Sequence, residues 1–410
     1  MLALNLLAVS SVSAQEASLA DVDIRGNVSA GLWSGDRVLS EQRETTLAKL
    51  LLQVSGKWDA AWSFHGNASY SYVDQVAALV SSKTTKSHLR DAYVKWDGEQ
   101  TEWKLGTQVF SWGRADRINP TDNLSARDFT SPFVVDDEQR LGSFASSFSQ
   151  DLNANTRLNL VVQKVKKSVF PSDRLETKIA LLPDVRQYDY AIKLDQSGSD
   201  IDWSVSYFDG VEKSRSLELV PSSGNLKTLR RGYRGMQVLG ADAAGTFGAW
   251  GLRAEVAYWR FKQDPKPNLG RLSHWFGVVG IERNLAANAT FGMQYFFRRF
   301  SSDPRFLETP LAWKPLVSVV QIANNQFHQW QDGVTVRYAQ RLMNDQLDYE
   351  IVAMTNLRDG DVAFRPRLNY RYSDSTKWVF GCDLFRGGDH SFFGSLKKNS
   401  LAMAEVNFIF

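Results

Sequence analysis

The densest set of ionisable side chains lies in residues 112–140, WGRADRINPTDNLSARDFTSPFVVDDEQR, which carry Arg114, Asp116, Arg117, Asp122, Arg127 and Asp128 close together. Interleaved guanidinium and carboxylate groups at this density suit the lining of a narrow polar passage, where they sort solutes by charge and size. They equally suit a structural task, pairing with one another or with a surrounding wall to hold a long segment in place. A second set is basic: Arg298, Arg337, Arg365, Arg367 and Arg371. At strand spacing these share one face, and a wall of that kind draws anions. Asp348 and Glu350 fall between them and offer cross-strand partners instead.

Bond-making chemistry has no foothold. The five histidines (His65, His88, His274, His328, His390) follow no metal-ligand spacing, and neither HExxH, GxSxG nor a phosphate-cradling glycine loop occurs. Ser273 and His274 are adjacent, so on a strand they point to opposite faces. The expectation is a protein without catalytic residues, cofactor or metal. The single cysteine, Cys382, excludes an internal disulfide framework. It shares a face with Trp378 and Phe380 and reads as packing.

The elements that must position these charges have a period of two. In Asn288–Arg298, Phe291, Met293, Tyr295 and Phe297 share one face, while Thr290, Gln294 and Arg298 share the other. In Val362–Tyr372, apolar residues alternate with Arg365, Arg367, Asn369 and Arg371. Helical spacing would scatter the charges, whereas a strand gathers them on one side. About eighteen such runs follow residue 20, ending at 399–410.

Composition narrows the class. The 410 residues hold 48 Lys+Arg against 45 Asp+Glu, a net charge of +3, which excludes a generally basic nucleic-acid binder. No apolar stretch reaches 18 residues, so helices do not span a membrane here. Yet 13 Trp, 13 Tyr and 24 Phe is a heavy aromatic load for so polar a chain. Polar on average and rich in aromatics is how a transmembrane β-barrel reads, since only every second strand residue meets lipid.

The connections agree. Those after even-numbered strands are short turns rich in Gly, Asn, Asp and Ser, such as Asp97–Gln100, Asp242–Gly245, Asn344-Asp345 and Ser373–Ser375. Those after odd-numbered strands are mostly long: 74–87, 112–140, 165–184, 210–231, 304–324 and 387–398. Short periplasmic turns opposite long extracellular loops mark an outer-membrane barrel. The connection near 357–361 is the one poor fit. The fold class is therefore all-β: an antiparallel transmembrane barrel of about eighteen strands, spanning 15–410 as one domain.

Residues 1–14 read as a secretory signal, with an apolar run at 2–9 and cleavage near Ala14–Gln15. No Lys or Arg precedes the run, as in a chain whose true start lies upstream of Met1; an apolar first strand or helix is the other reading. At the opposite terminus, Ala402, Ala404, Val406, Phe408 and Phe410 form one apolar face. A strand ending in an aromatic is similar to the signal read by the barrel assembly machinery, with Phe410 as its last residue.

Strand parity points Lys95, Lys104, Lys193, Arg253 and the five arginines inward, with Asp91, Glu102, Asp189, Asp195, Asp202, Glu255, Asp348 and Glu350. The wall is nearly balanced overall, and the imbalance lies in the arginines of the thirteenth, fourteenth and sixteenth strands. Trp250, Tyr258, Tyr295, Tyr338, Tyr370, Trp378 and Phe408 point outward as interfacial girdles. Eighteen strands enclose a lumen too wide for side chains to fill. Segment 112–140, as the third extracellular loop, is expected to fold in and narrow it, with Asn119–Asp122 starting a short helix capped by Thr121 or Asp122.

Leu89–Trp96 (LRDAYVKW), Leu105–Leu124 (LGTQVFSWGRADRINPTDNL), Val238–Tyr258 and Gly381–Gly394 (GCDLFRGGDHSFFG) resemble a little-characterised family of proteobacterial outer-membrane β-barrel proteins, porin-like and similar in build to the alginate-export class. The resemblance implies the barrel and an outer-membrane address in a Gram-negative bacterium. It brings no ligand-binding residues. The expected function is a passive channel for a hydrophilic solute or polysaccharide, with an anion favoured. The alternative is a structural or adhesive barrel with a plugged lumen, acting through its outer loops or a periplasmic partner. Expected partners are outer-membrane lipid, the assembly machinery and further copies of the chain, but not nucleic acid.

Overall fold

A sheet with lipid on one face and water on the other needs apolar and polar side chains in strict alternation, and nearly the whole chain is built this way. A computed structural model describes residues 22–35, 44–77, 80–130, 139–170, 179–182, 186–198, 200–221, 227–262, 270–285, 288–305 and 314–410. The expected export signal 1–14 and part of segment 112–140 lie outside the described residues.

Eighteen strands form one antiparallel sheet. The first nine are β1 Asp23–Gly35, β2 Glu44–Lys57, β3 Trp62–Ala77, β4 Val80–Asp97, β5 Thr101–Gln108, β6 Ser143–Asn153, β7 Thr156–Lys164, β8 Tyr188–Gln196 and β9 Ile201–Val211. The rest are β10 Gly235–Phe247, β11 Trp250–Phe261, β12 His274–Leu285, β13 Ala289–Phe300, β14 Trp330–Leu342, β15 Leu347–Asn356, β16 Asp361–Arg371, β17 Thr376–Arg386 and β18 Leu401–Ile409. Each pairs with its neighbours in sequence, and β1 pairs with β18 from Asn27–Ile409 to Gly35–Leu401. At the seam, Gly26 and Phe410 exchange backbone hydrogen bonds of 2.8 and 3.0 Å. Closure leaves the sheet no unpaired edge, the condition for a β-structure in a bilayer.

The outer face carries exposed Leu32, Leu160, Val205, Leu239 and Val279, an apolar belt far too extensive for a surface facing water. Aromatic rings bound it at both ends. Tyr258 packs on Trp275 (5.0 Å) and Phe297 on Trp330 (5.2 Å) toward the long loops. Toward the short turns, Trp378 stacks on Phe380 (6.3 Å), and Phe408 on Phe410 (6.5 Å). Cys382 is half-buried on the outward face of β17.

Three expected connections differ. The loop expected at 74–87 is mostly strand, with Tyr72 opposite Thr85 and Asp74 opposite Lys83. This part of the hairpin is polar on both faces, so its period of two is faint in the sequence. The turn expected at Asp242–Gly245 lies at Gly248-Ala249 instead, where Gly248 takes φ 59°; Asp242 is therefore a strand residue. The expected loop 304–324 contains the helix α1 Lys314–Asn324. Its Val317 and Val320 pack on Leu219, in a small three-stranded sheet made from the outer segments Ala180–Leu181, Ser216–Pro221 and Lys227–Gly232. The connection after β15 is a tight turn with Gly360 at φ 63°.

Candidate functional site

After β5 the chain turns into the barrel and lies against the inner wall of β7–β12. Trp112 and Leu124 of this third loop are buried with Val161, Phe208, Met236, Val238 and Ala257 of the wall. Ala115 is buried with Phe276, Val278 and Phe296. Hydrogen bonds fix the backbone. Glu255 Oε1 accepts the N–H groups of Arg114 and Ala115, both at 2.5 Å, and its Oε2 accepts the Thr121 hydroxyl at 3.0 Å. Gln163 donates to the Leu124 carbonyl (2.8 Å) and Trp259 to that of Pro120 (3.2 Å). Gly113 permits the close approach: it takes φ +98°, and a Cβ there would stand 2.7 Å from Glu255 Oε1 and 2.8 Å from Thr121 Oγ1.

The helix expected at Asn119–Asp122 is absent; a turn stands there, with Asp122 N–H donating to Asn119 O at 3.2 Å. The side chains that would cap a helix are committed elsewhere. Thr121 donates to Glu255, and Asp122 accepts from Trp112 N–H at 3.3 Å.

The charges fall into two patterns. Arg114 faces three carboxylates of β8–β10: Asp242 at 2.7 Å, Asp195 at 3.5 Å and Asp202 at 3.9 Å. Elsewhere three carboxylates each hold two arginines. Asp122 takes Arg140 at 2.5 Å and Arg127 at 3.3 Å. Glu350 on β15 takes Arg117 at 2.5 Å and Arg337 at 2.8 Å. Asp383 on β17 takes Arg367 at 2.5 Å and Arg365 at 3.0 Å. At Asp383 two guanidinium groups meet one carboxylate, an excess of positive charge, whereas the three carboxylates around Arg114 outnumber their cations even with Lys193 on Asp195 at 2.7 Å.

Between the loop and the wall of β13–β18 and β1 lies a cavity of about 1260 Å³. Asp116, Arg117, Arg127 and Arg140 line it from the loop, and Arg337, Glu350, Arg367, Lys377 and Glu405 from the wall. A smaller chamber of about 360 Å³ lies across the loop stem, beside Glu102, Lys104 and Arg157. Among the described residues, Asp116 and Lys377 make no ion pair. Lys377 stands directly opposite Arg371 on β16, a like-charge pairing that is unfavourable without an anion or water between them.

The structure thus brings Arg117, Arg127, Arg337 and Arg367 to one cavity. Arg114 belongs to the anchoring of the loop. Asp128 stays within the loop, accepting the N–H and hydroxyl of Thr130 at 2.8 and 2.5 Å. Arg365 lies beneath Arg367 on Asp383, and Arg371 is exposed toward the short-turn end. Arg298 points inward yet is half-buried, its guanidinium over the Phe276 ring at 4.3 Å, away from the residues lining the cavity. Sequence reasoning missed Asp242, Asp383, Lys377 and Arg140. Parity with Trp378 and Phe380 places Lys377 and Asp383 inward, so that signal was present. Asp242 was hidden by the misplaced turn, and nothing local links Arg140 to Asp122.

No protein-family model matches the sequence, and no curated protein matches it. Solved structures do. Pseudomonas aeruginosa OccK11 (OpdR) is 12% identical with a TM-score of 0.57, over 95% of this chain and 96% of that one. Acinetobacter baumannii OccAB2 is 10% identical with a TM-score of 0.59, over 96% and 99%. Pseudomonas aeruginosa OccD3 (OpdP) is 10% identical with a TM-score of 0.54, over 96% and 92%. The chain has the fold of these outer-membrane porins. They lend no support to the expected likeness to the alginate-export class.

Proposed function

We propose that the protein is a passive channel in the outer membrane of a Gram-negative bacterium, and that it favours small hydrophilic anions. Whole-length likeness in fold to porins supports the channel; the apolar belt between two aromatic girdles supports the membrane address. Phe410, at the closing seam, suits the assembly signal. The observation that carries the anion preference is the pair Arg365 and Arg367 on the single carboxylate of Asp383, with Arg367 lining the cavity beside Lys377. Charge left over in a confined, low-dielectric passage raises the local concentration of the opposite ion. The segment Asp116-Arg117, reaching toward Glu350, makes the narrowest passage in this reading. A cavity bounded by so firmly anchored a loop suits a small solute better than a polysaccharide. Gradient-driven passage needs no cofactor.

The test is single-channel recording of the refolded protein in a planar bilayer under a KCl gradient. Steady openings with an anion-selective reversal potential are expected. A cation-selective potential would reject the anion preference. Silence from a demonstrably folded barrel would favour a plugged barrel acting through its outer surface, a reading to which the packed cap of α1 on Leu219 lends weight.

A further inference from the structure

The outer wall also distributes charge unevenly. On the arc from β7 to β13, near the long-loop end, Lys164, Arg260 and Arg299 are exposed, point outward and make no ion pair among the described residues. Arg186 and Lys262 join them, both held by the outward-facing Asp209 at 2.7 and 3.1 Å. The aromatic girdle fixes their depth. Lys164 is directly opposite Tyr188, and Arg299 is directly opposite Trp275. Arg260 lies two residues beyond Tyr258, itself opposite Trp275. Girdle rings sit at the headgroup level, so these cations stand among lipid headgroups, where a charge on the lipid-facing wall is tolerated. The remainder of the rim has mixed signs: Asp332, Arg386, Glu44, Asp74 and Lys83.

We propose that the β7–β13 arc is a docking site for a lipid of the outer leaflet that carries phosphate on its headgroup. Arg260 and Arg299, neither in an ion pair among the described residues, are charge complementarity for the phosphates of one headgroup, and Lys164, four strands or about 19 Å from Arg260, extends the basic arc. Lysine and arginine form strong charge-assisted bonds to its oxygens, the guanidinium in bidentate fashion. Arg260 and Arg299 lie two strands apart and two residues out of level, about 12 Å, a separation that suits two phosphates of one headgroup. Below them the exposed Leu239, Val256 and Val279 offer a surface for acyl chains. The site rests only on the barrel lying in a membrane, not on what the lumen carries.

The full chain in detergent is titrated with bisphosphorylated lipid A and bound lipid is counted by native mass spectrometry. K164Q/R260Q/R299Q is expected to weaken binding about tenfold or more, while K83Q/R386Q on the mixed arc leaves it unchanged. Dephosphorylated lipid A is expected to bind both proteins equally weakly. Equal binding by parent and triple variant, or equal loss in both variants, would overturn the site. So would full competition by inorganic phosphate, which would make it a free-anion site. Because none of the three side chains faces the lumen, the triple variant keeps the parent's conductance, and a failed channel test leaves this one standing.

Discussion

The two halves of the lumen wall treat arginine in opposite ways. On β8–β11 one guanidinium, Arg114, is surrounded by Asp195, Asp202 and Asp242, and Glu255 next to them accepts backbone N–H groups of the loop. On β14–β17 the ratio is reversed: Arg117 and Arg337 share Glu350, and Arg365 and Arg367 share Asp383. An excess of acceptors makes an anchor, because each carboxylate oxygen needs a donor and the loop supplies them. At Asp383 an excess of guanidinium over carboxylate leaves positive charge beside the cavity. Similar residue types thus fix the loop on one side of the lumen and leave an electropositive surface on the other.

The strongest way to break this contrast is to remove the anchor. Glu255→Ala takes away the acceptor of the Arg114 and Ala115 N–H groups and of the Thr121 hydroxyl. A buried polar group left unpaired costs roughly 1–3 kcal/mol, but the lumen is wet, so the loop can regain partners by lifting off the wall. The barrel, held by its own ladders, stays folded. Single-channel conductance is expected to rise about twofold or more, since the cross-section of a pore sets its flux. A folded variant with the parent's conductance would show that the loop does not narrow the passage.

The electropositive side is probed by changes of opposite sign. Arg365→Gln with Arg367→Gln strips the pair from Asp383 and leaves a carboxylate in their place. Anion preference is expected to fall, with the reversal potential in a KCl gradient moving toward or through zero. Asp383→Asn removes the shared negative charge and is expected to move it the other way. Two shifts of the same sign, or none, would mean that these arginines only brace the wall.

Much of this was legible in the sequence, for reasons that differ by element. Strand parity in 362–372 and 288–298 assigned the faces of β16 and β13 because the hydrocarbon-facing stretch of the outer wall disfavours charge, which is tolerated only near the headgroups. The paired charges of 112–140 marked the inward loop, since such a density of guanidinium and carboxylate groups is costly to bury unless it is organised. Which charge met which was not legible. Asp122 and Arg140 meet through a small ladder between Ala126-Arg127 and Arg140-Leu141, and Arg117 and Glu350 are far apart in the chain. Arg298 shows the limit of parity, which gives direction but not depth. Its inward direction was readable, but its half-buried place over Phe276 at the long-loop end was not.

The smallest effect separates a charge in the wide part of the lumen from one at the constriction. Lys377 lines the main cavity opposite Arg371, without an ion pair among the described residues, toward the short-turn end. Its field acts across open electrolyte, where screening is set by salt: about 10 Å at 0.1 M and about 3 Å at 1 M. Lys377→Gln is therefore expected to lower anion preference slightly in dilute KCl and not measurably at 1 M. The Arg365/Arg367 change, at a site where Asp383 is nearly buried and Arg367 only slightly exposed, is expected to persist at both concentrations. Reversal potentials of the two variants at low and high salt decide the matter. If the Lys377 effect survived high salt and the arginine effect did not, the selective region would lie in the vestibule rather than beside the loop.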